Sequence, residues 1–246
     1  MSDRHNWFPH HKPNHTAKIR LFCLPYAGGR AAAFYSWAKL LPPDIDVFPV
    51  ELPGHGFRVG ERPFTRISAL VQELTNAIQP YLDLPIALFG HSLGSVIGFE
   101  LAHALWSEYQ ISPSHLLISA CRAPQSPKNL TVTYDQPDDE FLRNIRRLDG
   151  TPQEIFQEPE IVAFILPILR ADFEMYNTYN YMPRPSLPCP ITVFGGLQDK
   201  STPQEYLAGW QEHTSGNFVR HMFPGGHFFL NTSEPVLLSL IARTLV

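Results

Sequence analysis

The sequence predicts an α/β fold with a mostly parallel central sheet, helices on both faces and a helical insertion. Short apolar runs alternate with segments of helical length along most of the 246 residues, a pattern typical of strand–helix–strand units with parallel strands. The run at residues 86–89 is wholly apolar, as expected for a strand that helices cover on both sides. Residues 124–187 break this rhythm and contain no convincing strand, which predicts the insertion.

The individual elements follow from the same pattern. Strands are predicted at the apolar runs of residues 19–24, 45–50, 86–89, 116–120, 191–194 and 218–223. Helices are predicted at residues 67–82, 93–109 and 233–246. Ser233 is positioned to be the N-cap of the last helix.

The insertion at residues 124–187 has the features of a lid. Prolines bracket it, with Pro124 and Pro127 before it and Pro183, Pro185 and Pro188 after it. Two helical segments lie between them, at residues 137–148 and 158–181. A helical segment hinged by prolines favours a lid over an active site. The alternative is that its apolar residues belong to an ordinary core, namely Ile161, Phe164, Ile165, Ile168, Leu169 and Phe173.

The first 17 residues are polar and predict a disordered tail. One folded domain is therefore expected at residues 18–246. The tail carries histidines at positions 5, 10, 11 and 15, which leaves open either a solvated tail or a metal site. No helix or hairpin is predicted there to hold metal ligands in a fixed geometry.

Composition excludes several classes of function. The net charge of −4 and the absence of a long basic run argue against nucleic-acid binding. No apolar run approaches the roughly 20 residues that span a bilayer, so no membrane segment is expected. The three cysteines, Cys23, Cys121 and Cys189, are odd in number and widely spaced, which favours free thiols in a reducing, cytoplasmic setting. No zinc-like cluster of cysteine and histidine is seen, and no cofactor is expected.

A nucleophile is predicted at Ser92. Residues 90–94 (GHSLG) fit the pattern G-x-S-x-G, follow a predicted strand and begin a predicted helix. That strand–turn–helix setting is the one in which a serine is exposed on a sharp turn. The glycines prevent clashes in the turn, and the helix N-terminus favours a developing negative charge. The alternative is a tight turn bracketed by glycines, with a serine that has no catalytic role.

A serine nucleophile needs a base and an acid to orient it. In folds with this turn the chain order is serine, acid, histidine, so the search falls on the C-terminal part. His227 follows two glycines after the last strand and is the predicted base, whereas His213 and His221 are expected to be structural. Asp199, in the loop after the strand at 191–194, is the predicted acid. It would fix the imidazole tautomer; its alternative role is to cap a helix that begins near Pro203.

Asp172 and Glu174 are the rivals for the acid, but both fall within the predicted lid.

An oxyanion hole is predicted from two backbone N–H groups. One belongs to Leu93, the residue after the nucleophile, and the second to the loop after the first strand. Residues 25–29 (PYAGG) fit that loop. We expect Ala27 to supply the N–H, with Tyr26 as the alternative; Tyr26 is also assigned to the substrate site. A plain Gly-Gly turn without this role is the other possibility.

Together these segments resemble the type II thioesterases that accompany polyketide and nonribosomal peptide synthetases, members of the α/β-hydrolase superfamily. The matching segments are LFCLPYAGG (21–29), LPGHGFR (52–58), FGHSLG (89–94), GGLQD (195–199) with Trp210 after it, and PGGHFFL (224–230). They extend over nearly the whole chain from about residue 18 and occur in the same order as in the family.

The resemblance implies a stand-alone hydrolase. Such an enzyme removes wrong or stalled acyl groups from the phosphopantetheine arm of acyl or peptidyl carrier proteins. It also implies that Ser92, Asp199 and His227 form a triad, that Ala27 and Leu93 supply the oxyanion N–H groups, and that the protein is a monomer. A thioester suits this site because a thiol leaves readily and needs little acid assistance.

The first lid helix carries Arg143, Arg146 and Arg147 at a spacing that places them on one face. We hypothesise that this face contacts an acidic carrier protein or the phosphate of its arm. A solvated charged face is the alternative.

Three other functions stay open at this stage. The same fold supports esterases and lipases that cleave oxoesters, and also acyltransferases that use a small acceptor, since a fold does not determine a substrate. The third possibility is a non-catalytic module that binds carrier proteins.

Overall fold

The computed structural model describes residues 7–128, 130–148 and 156–246. Its centre is a six-stranded parallel sheet in the order β2-β1-β3-β4-β5-β6, which confirms the predicted α/β class. The strands are β1 (Ile19–Leu24), β2 (Ile45–Pro49), β3 (Ile86–His91), β4 (His115–Ser119), β5 (Ile191–Gly196) and β6 (Phe218–Phe223).

Eight α-helices connect or flank these strands in the described part of the chain. They are α1 (Trp37–Leu40), α2 (Ile67–Ile78), α3 (Leu93–Tyr109), α4 (Asp138–Arg146), α5 (Pro159–Thr178), α6 (Gln204–Ala208), α7 (Phe229–Thr232) and α8 (Glu234–Leu245). Short 3-10 helices occur at Ala31–Phe34, Gly56–Arg58, Gln79–Tyr81 and Gly209–His213. None of the described helices is long and apolar enough to cross a membrane.

The sheet is covered on both faces, and a separate core lies on each. On one face α2 and α3 pack their apolar residues against alternate strand residues such as Phe22 and Leu88. On the other face α1 and α8 pack against the intervening residues, such as Leu21 and Ala87. Alternate side chains of a strand point to opposite faces, so a sheet that helices cover on both faces has two cores.

Two strands run further than their apolar runs predict. β3 pairs with β4 through Gly90 and His91, and β5 pairs with β6 through Gly195 and Gly196. Strand pairing is made by backbone groups, so it continues where the apolar side chains stop. Both extensions bring the chain to the carboxyl edge of the sheet, just before Ser92 and Asp199.

Smaller differences occur at helix ends. The predicted helix at residues 67–82 is α2 followed by a 3-10 turn at Gln79–Tyr81, where Pro80 removes a backbone donor. Ser233 precedes α8 but its side chain makes no capping hydrogen bond, so the predicted cap is wrong in that respect.

The prediction of a disordered tail is wrong for residues 7–17. Trp7 and Phe8 are buried in the core beside α2, and the N–H of Glu51 donates to the carbonyl of Trp7 at 2.8 Å. The His11 ring stacks on Phe48, and its Nε2 lies 2.9 Å from Asp46. Two aromatic side chains within a polar segment are sufficient to hold it against the domain. Residues 1–6, with His5, lie outside the described part.

The insertion between β4 and β5 is helical, as the sequence predicts. The expected helices at residues 137–148 and 158–181 are α4 and α5; the segment between them, residues 149–155, lies outside the described residues, as does residue 129. The insertion has an apolar cluster of its own, which we call the lid cluster: Val132, Phe141, Ile145, Phe156 and Leu169.

The lid residues proposed as ordinary core behave differently from one another. Leu169 is buried in the lid cluster, whereas Ile161 and Phe164 are exposed. The insertion therefore has a small core in the lid cluster, while the end of α5 joins a main core through Met175.

Candidate active site

Ser92 occupies a strained turn between β3 and α3. Its φ is +54° and its ψ is −116°, a backbone conformation that side chains rarely adopt. The N–H of Ser92 donates to the carbonyl of Ser119 at 2.8 Å, which ties the turn to the end of β4. The turn raises the serine above the carboxyl edge of the sheet.

The two flanking glycines are required by close backbone packing. A Cβ at Gly90 would lie 2.2 Å from the carbonyl oxygen of Gly94, and a Cβ at Gly94 would lie 2.2 Å from that of Leu24. Both distances are far below van der Waals contact. Only glycine allows α3 to cross this closely over β1 and β3, which explains the pattern G-x-S-x-G in physical terms.

A buried polar network supports the turn from below. The Ser95 hydroxyl donates to the carbonyl of Gly90 at 2.7 Å, and its oxygen accepts the N–H of Ser119 at 3.1 Å. His91 Nδ1 lies 2.9 Å from Ser119 Oγ. Burial holds the pKa of His91 well below its ordinary value, with the positive charge of His227 acting in the same direction. The ring is therefore neutral and serves as a rigid aromatic support.

Asp199 and His227 are brought together from the loops after β5 and β6. His227 Nδ1–H donates to Asp199 Oδ2 at 2.8 Å, and both side chains are largely buried. Since Nδ1 donates in this contact, Nε2 is the ring nitrogen available to exchange a proton with a group in the cavity. Burial alone would raise the pKa of Asp199, but the hydrogen bond and charge of His227 and the contacts from Ser201 lower it overall. The carboxylate is therefore ionised.

Ser201 belongs to this group and was not found by sequence reasoning. Its hydroxyl donates to Asp199 Oδ1 at 2.6 Å, and its oxygen lies 3.0 Å from His227 Nδ1. The backbone N–H groups of Ser201 and Thr202 also donate to Asp199 Oδ1, so the carboxylate closes an Asx turn. A serine two residues after an aspartate in a loop is the signal that was available.

Ser92 and His227 line one cavity of about 340 Å³. Ala27 and Leu93 border the same space, and among the described residues neither of their backbone N–H groups donates to a protein acceptor. The structure thus places the predicted nucleophile, base and oxyanion donors around one volume, with Asp199 behind the base. The far wall comes from the insertion and includes Leu148, Phe173 and Tyr176.

Tyr26 lies at the edge of this space. Its ring makes edge-on contacts with His91 and Phe228, and it borders a smaller cavity that Ser92 and His227 also line. Burial raises the pKa of Tyr26, partly offset by the charge of Arg30, so the phenol is neutral. The assignment of Tyr26 to the substrate site remains a prediction.

Cys121 also borders the cavity but is not a second nucleophile. Burial raises the pKa of its thiol to about 12, with the charges of Arg122 and Lys128 acting in the opposite direction. The thiolate is the reactive form of cysteine, and at neutral pH this side chain is the thiol.

The rival acids have other partners. Glu174 forms an ion pair with Arg66. Asp172 is buried, bonding to the N–H of Gly28 at 2.6 Å and lying 2.9 Å from His55 Nε2. Neither contact reaches His227, so of the three candidate carboxylates Asp199 is the one that bonds to His227.

The other late histidines have structural surroundings. His213 is buried and its Nε2 lies 2.6 Å from Gln125 Oε1, while the His221 ring stacks on Phe194. Within residues 7–128, 130–148 and 156–246, no group of three or more histidine, cysteine or acidic side chains is arranged to hold a metal ion.

Comparison with known proteins gives consistent matches along the chain. The family model of the Thioesterase domain matches residues 19–245. The chain is 38% identical over 245 residues to the gramicidin S biosynthesis protein GrsT of Aneurinibacillus migulanus, covering 100% of this chain and 96% of GrsT. It is 35% identical to thioesterase PikA5 of Streptomyces venezuelae, over 92% of this chain and 80% of PikA5.

A solved structure gives the same result. The type II thioesterase BorB from the borrelidin biosynthetic cluster superposes with a TM-score of 0.89 at 37% identity, and the alignment covers 98% of each chain.

Proposed function

Because the chain belongs to the Thioesterase domain family, we propose that it hydrolyses acyl thioesters on the phosphopantetheine arm of carrier proteins. The family, the α/β-hydrolase fold and the class of enzyme predicted from the sequence are confirmed. GrsT is a gramicidin S biosynthesis protein and BorB comes from the borrelidin biosynthetic cluster. We propose that this enzyme likewise serves a biosynthetic pathway, in which it clears aberrant or stalled acyl groups from a polyketide or nonribosomal peptide synthetase.

One observation carries the proposal. A serine in a strained turn shares a cavity with a histidine whose Nδ1 is occupied by a buried, ionised aspartate. This arrangement leaves Nε2 to act as the base within the cavity that Ser92 also lines. We therefore assign Ser92 as nucleophile, His227 as general base and acid, and Asp199 as the residue that orients the imidazole.

In the acylation half-reaction, Ser92 Oγ attacks the thioester carbonyl carbon while His227 Nε2 takes the hydroxyl proton. The carbonyl oxygen becomes an oxyanion, for which the N–H groups of Ala27 and Leu93 are available. When the tetrahedral intermediate collapses, the C–S bond breaks and the proton on His227 passes to the departing sulfur. The products are the acyl-serine and the free thiol of the carrier arm.

Deacylation repeats the steps with water. His227 Nε2 takes a proton from water while the water oxygen attacks the carbonyl carbon of the acyl-serine. The N–H groups of Ala27 and Leu93 are again available to the oxyanion that forms. Collapse returns the proton to Ser92 Oγ and releases a carboxylic acid. Throughout both steps the negative charge of Asp199 stabilises the imidazolium.

The cavity wall supports an acyl chain as the ligand. Much of the wall on the insertion side is apolar, with Leu130, Val132, Leu148 and Phe173 facing the space. Burial of these side chains against an alkyl chain is favourable by roughly 25 cal/mol per Å² of apolar surface. The distance from Ser92 to the end of this wall is what we expect to limit chain length.

Mass spectrometry of a carrier protein loaded with several acyl groups tests the function. We expect this protein to convert the acylated carrier to free thiol, and Ser92→Ala to abolish conversion. Ser107→Ala is the matched control, since Ser107 is exposed on the same helix α3. Faster cleavage of a matched oxoester would favour an esterase, and product carrying an added alcohol or amine would favour an acyltransferase. Full function in Ser92→Ala would favour a binding module.

We propose that the carrier protein docks on the exposed arginines of α4. Arg143, Arg146 and Arg147 are all exposed. Arg146 also donates to the carbonyl of Phe156 and lies over its ring, so part of its function is to hold the insertion. Arg143 and Arg147 are the better candidates for contact with an acidic partner.

Charge reversal tests this docking surface. We expect Arg143→Glu with Arg147→Glu to lower kcat/KM for an acyl-carrier substrate by about tenfold at low salt, since rim charges act mainly on the association rate. Turnover of a small acyl thioester should not change. Arg243→Glu, an exposed arginine on α8, is the matched control. Equal kcat/KM for the carrier substrate in both variants would argue against the docking surface.

We also propose a reducing, cytoplasmic setting and a monomeric enzyme. The three cysteines are free and buried, which is the state expected of thiols that pack in a core and form no disulfide bond.

A further inference from the structure

A buried carboxylate joins the insertion to the loop that carries the oxyanion donor. Asp172 lies on α5 with a relative exposure of 1%. Its Oδ2 accepts the N–H of Gly28 at 2.6 Å and lies 2.9 Å from His55 Nε2. Gly28 is the residue directly after Ala27. The contact therefore fixes the peptide chain one residue from the predicted oxyanion N–H.

The hydrogen bonds of His55 determine its charge. Its Nδ1 lies 3.1 Å from the carbonyl oxygen of Pro53, and its Nε2 faces Asp172 Oδ2. An imidazolium ring, which donates from both nitrogens, satisfies both neighbours. Burial acts to lower the pKa of His55, but the charge and hydrogen bond of Asp172, the Pro53 carbonyl and the charge of Glu51 raise it overall.

A second buried carboxylate anchors the other end of the same loop. Glu51 Oε1 accepts the N–H of Ala31 at 3.0 Å, and its carboxylate lies so close to Gly56 that a Cβ there would be 2.0 Å from Oε2. His55 precedes Gly56, and the charges of both carboxylates raise its pKa. The loop at residues 25–31 is consequently held at two points by acidic side chains, with one imidazolium near both.

The insertion also fits the loop sterically. Gly28 has a φ of +74°, and a Cβ at this position would lie 2.6 Å from Leu169 Cδ2. Leu169 precedes Asp172 by one helical turn, so both side chains lie on the same face of α5. One face of the helix therefore supplies both the apolar cover and the hydrogen-bond acceptor for Gly28.

We propose that Asp172 is a positioning residue that couples the insertion to catalysis: it aims the Ala27 N–H at the oxyanion when α5 is seated on the loop. The inference rests on the proposed thioesterase function and deepens it. Its physical basis is that the buried 2.6 Å hydrogen bond from the Gly28 N–H to Asp172 holds the loop in one conformation, whereas a glycine-rich loop without that bond has many accessible conformations. The oxyanion hole is then complete only when α5 packs on the loop at residues 25–31.

Steady-state kinetics with a small acyl thioester test the proposal. We expect Asp172→Ala to lower kcat by about tenfold to a hundredfold, less than or similar to the loss of a whole oxyanion donor, with KM changed by less than about twofold. Asp172→Asn retains an oxygen acceptor for Gly28 and should restore much of kcat. Glu174→Gln is the matched control on the same helix, because it removes a carboxylate that contacts Arg66 and not the loop.

A transition-state analogue separates positioning from a general effect on structure. A trifluoromethyl ketone analogue of the thioester adds to the serine and forms an oxyanion in the hole. Its inhibition constant should rise in Asp172→Ala by the same factor by which kcat/KM falls. A purely structural role would weaken substrate and analogue alike. If Asp172→Ala does not fold, Asp172→Leu, which fills the site but offers no acceptor to the Gly28 N–H, decides the question through the same two measurements.

The outcomes are distinguishable from failure of the proposed function. The positioning role alone would be overturned if Ser92→Ala is inactive while both Asp172 variants keep the wild-type kcat and the wild-type affinity for the analogue. Activity in Ser92→Ala would overturn the function on which it rests. His55→Ala provides a further check: because His55 acts through Asp172, the double variant should be no slower than Asp172→Ala.

Discussion

Ser92 shows how strain in one residue is maintained by its surroundings. Its unusual φ and ψ cost of the order of 1–3 kcal/mol. The cost is sustained because the N–H of Ser92 bonds to Ser119 and because glycines at 90 and 94 allow the backbones around the turn to touch. The strain exposes the hydroxyl where a substrate carbonyl can reach it, and the adjacent helix N-terminus favours negative charge there.

The first prediction concerns this close packing. Gly94→Ala places a Cβ 2.2 Å from the carbonyl oxygen of Leu24, so β1 and α3 must separate. We expect the free energy of unfolding to fall by about 2–4 kcal/mol and activity to be lost. Gly60→Ala is the matched control, because nothing lies within 4 Å of its Cβ position. Urea denaturation of both variants measures the difference; equal midpoints would contradict the packing argument.

The second prediction concerns Ser201, whose hydroxyl bonds to Asp199. Ser201→Ala removes one of the contacts that lower the pKa of Asp199 and loosens the carboxylate behind His227. A single hydrogen bond contributes about 0.5–1.5 kcal/mol, so we expect kcat to fall about twofold to tenfold with KM unchanged. Because the pKa of Asp199 should rise when the Ser201 hydroxyl is removed, the acid limb of the kcat–pH profile should move to higher pH in the same variant. A wild-type kcat and profile would show that the Asx turn alone holds Asp199.

At the level of elements, two segments outside the sheet pack onto it through small sets of contacts. The helices α4 and α5 build a small core of their own and provide a wall of the cavity beside Ser92. The segment at residues 7–17 packs beside β2, where its side chains contact Phe48 and Asp46. Both pack through a few aromatic and aliphatic side chains, so each is sensitive to the loss of one of them.

The third prediction tests the packing of the N-terminal segment. Phe8 is 6% exposed and its ring contacts Phe22, Phe48 and Tyr81. We expect Phe8→Ala to lower the free energy of unfolding by about 3 kcal/mol. Phe57→Ala, at a phenylalanine that is 70% exposed, should change it by less than about 0.5 kcal/mol. A small effect for Phe8→Ala would restore the original expectation of a loose tail.

For the whole molecule, the titrating side chains predict a stability maximum near neutral pH. Burial is the main cause of a lowered pKa at several described histidines. The pKa falls to about 3 for His103, to about 4 for His115, and well below the ordinary value of 6.5 for His91. The unfolded chain binds protons below about pH 6.5 while these folded rings stay neutral. Stability is therefore lost as pH falls below that value.

Two further groups complete the profile. The lowered pKa of Asp199 adds stability that is present above its unfolded pKa and is lost as pH falls through the folded one. The raised pKa of His55 acts in the other direction: its contribution is complete below about pH 6.5 and is lost as pH rises through the folded pKa. Acid and alkali thus weaken different parts of the molecule.

The fourth prediction is the measured profile. Urea midpoints between about pH 4 and 8.5 should pass through a maximum near neutrality. His115→Gln, which keeps a partner for Thr192, should flatten the acid limb, since each histidine that stays neutral contributes up to about 1.4 kcal/mol per pH unit. His55→Gln should flatten the alkaline limb and leave the acid limb unchanged. A midpoint that rises steadily to pH 8.5 in the wild-type protein would contradict the charge assigned to His55.

Local sequence pattern was sufficient to predict the strands and the order of the candidate catalytic residues along the chain. Apolar runs separated by helix-length segments predicted all six strands to within a few residues. The physical reason holds for β1 to β5, which are largely buried on both faces and so have little polar face. It does not hold for β6, whose middle residues are exposed. Strand–turn–helix context placed Ser92, and the position of Asp199 and His227 after predicted strands brought both to the same sheet edge. Their catalytic roles stay predictions until the variants are measured.

Other features depended on contacts between residues far apart in sequence. The ordered segment around Phe8, the hydroxyl of Ser201 on Asp199, and the bond from Asp172 to Gly28 across 144 positions have no local periodicity. A carboxylate on a predicted lid helix can be exposed to solvent, can pair with a catalytic histidine, or can be buried against another loop. The neighbouring residues in the sequence are the same in all three cases. The parallel sheet and the types of residue at its edge can be predicted from local sequence, because they follow from burial pattern and turn chemistry. Which buried polar groups meet can be seen only in the folded chain, because that depends on how the insertion packs over the loop after the first strand.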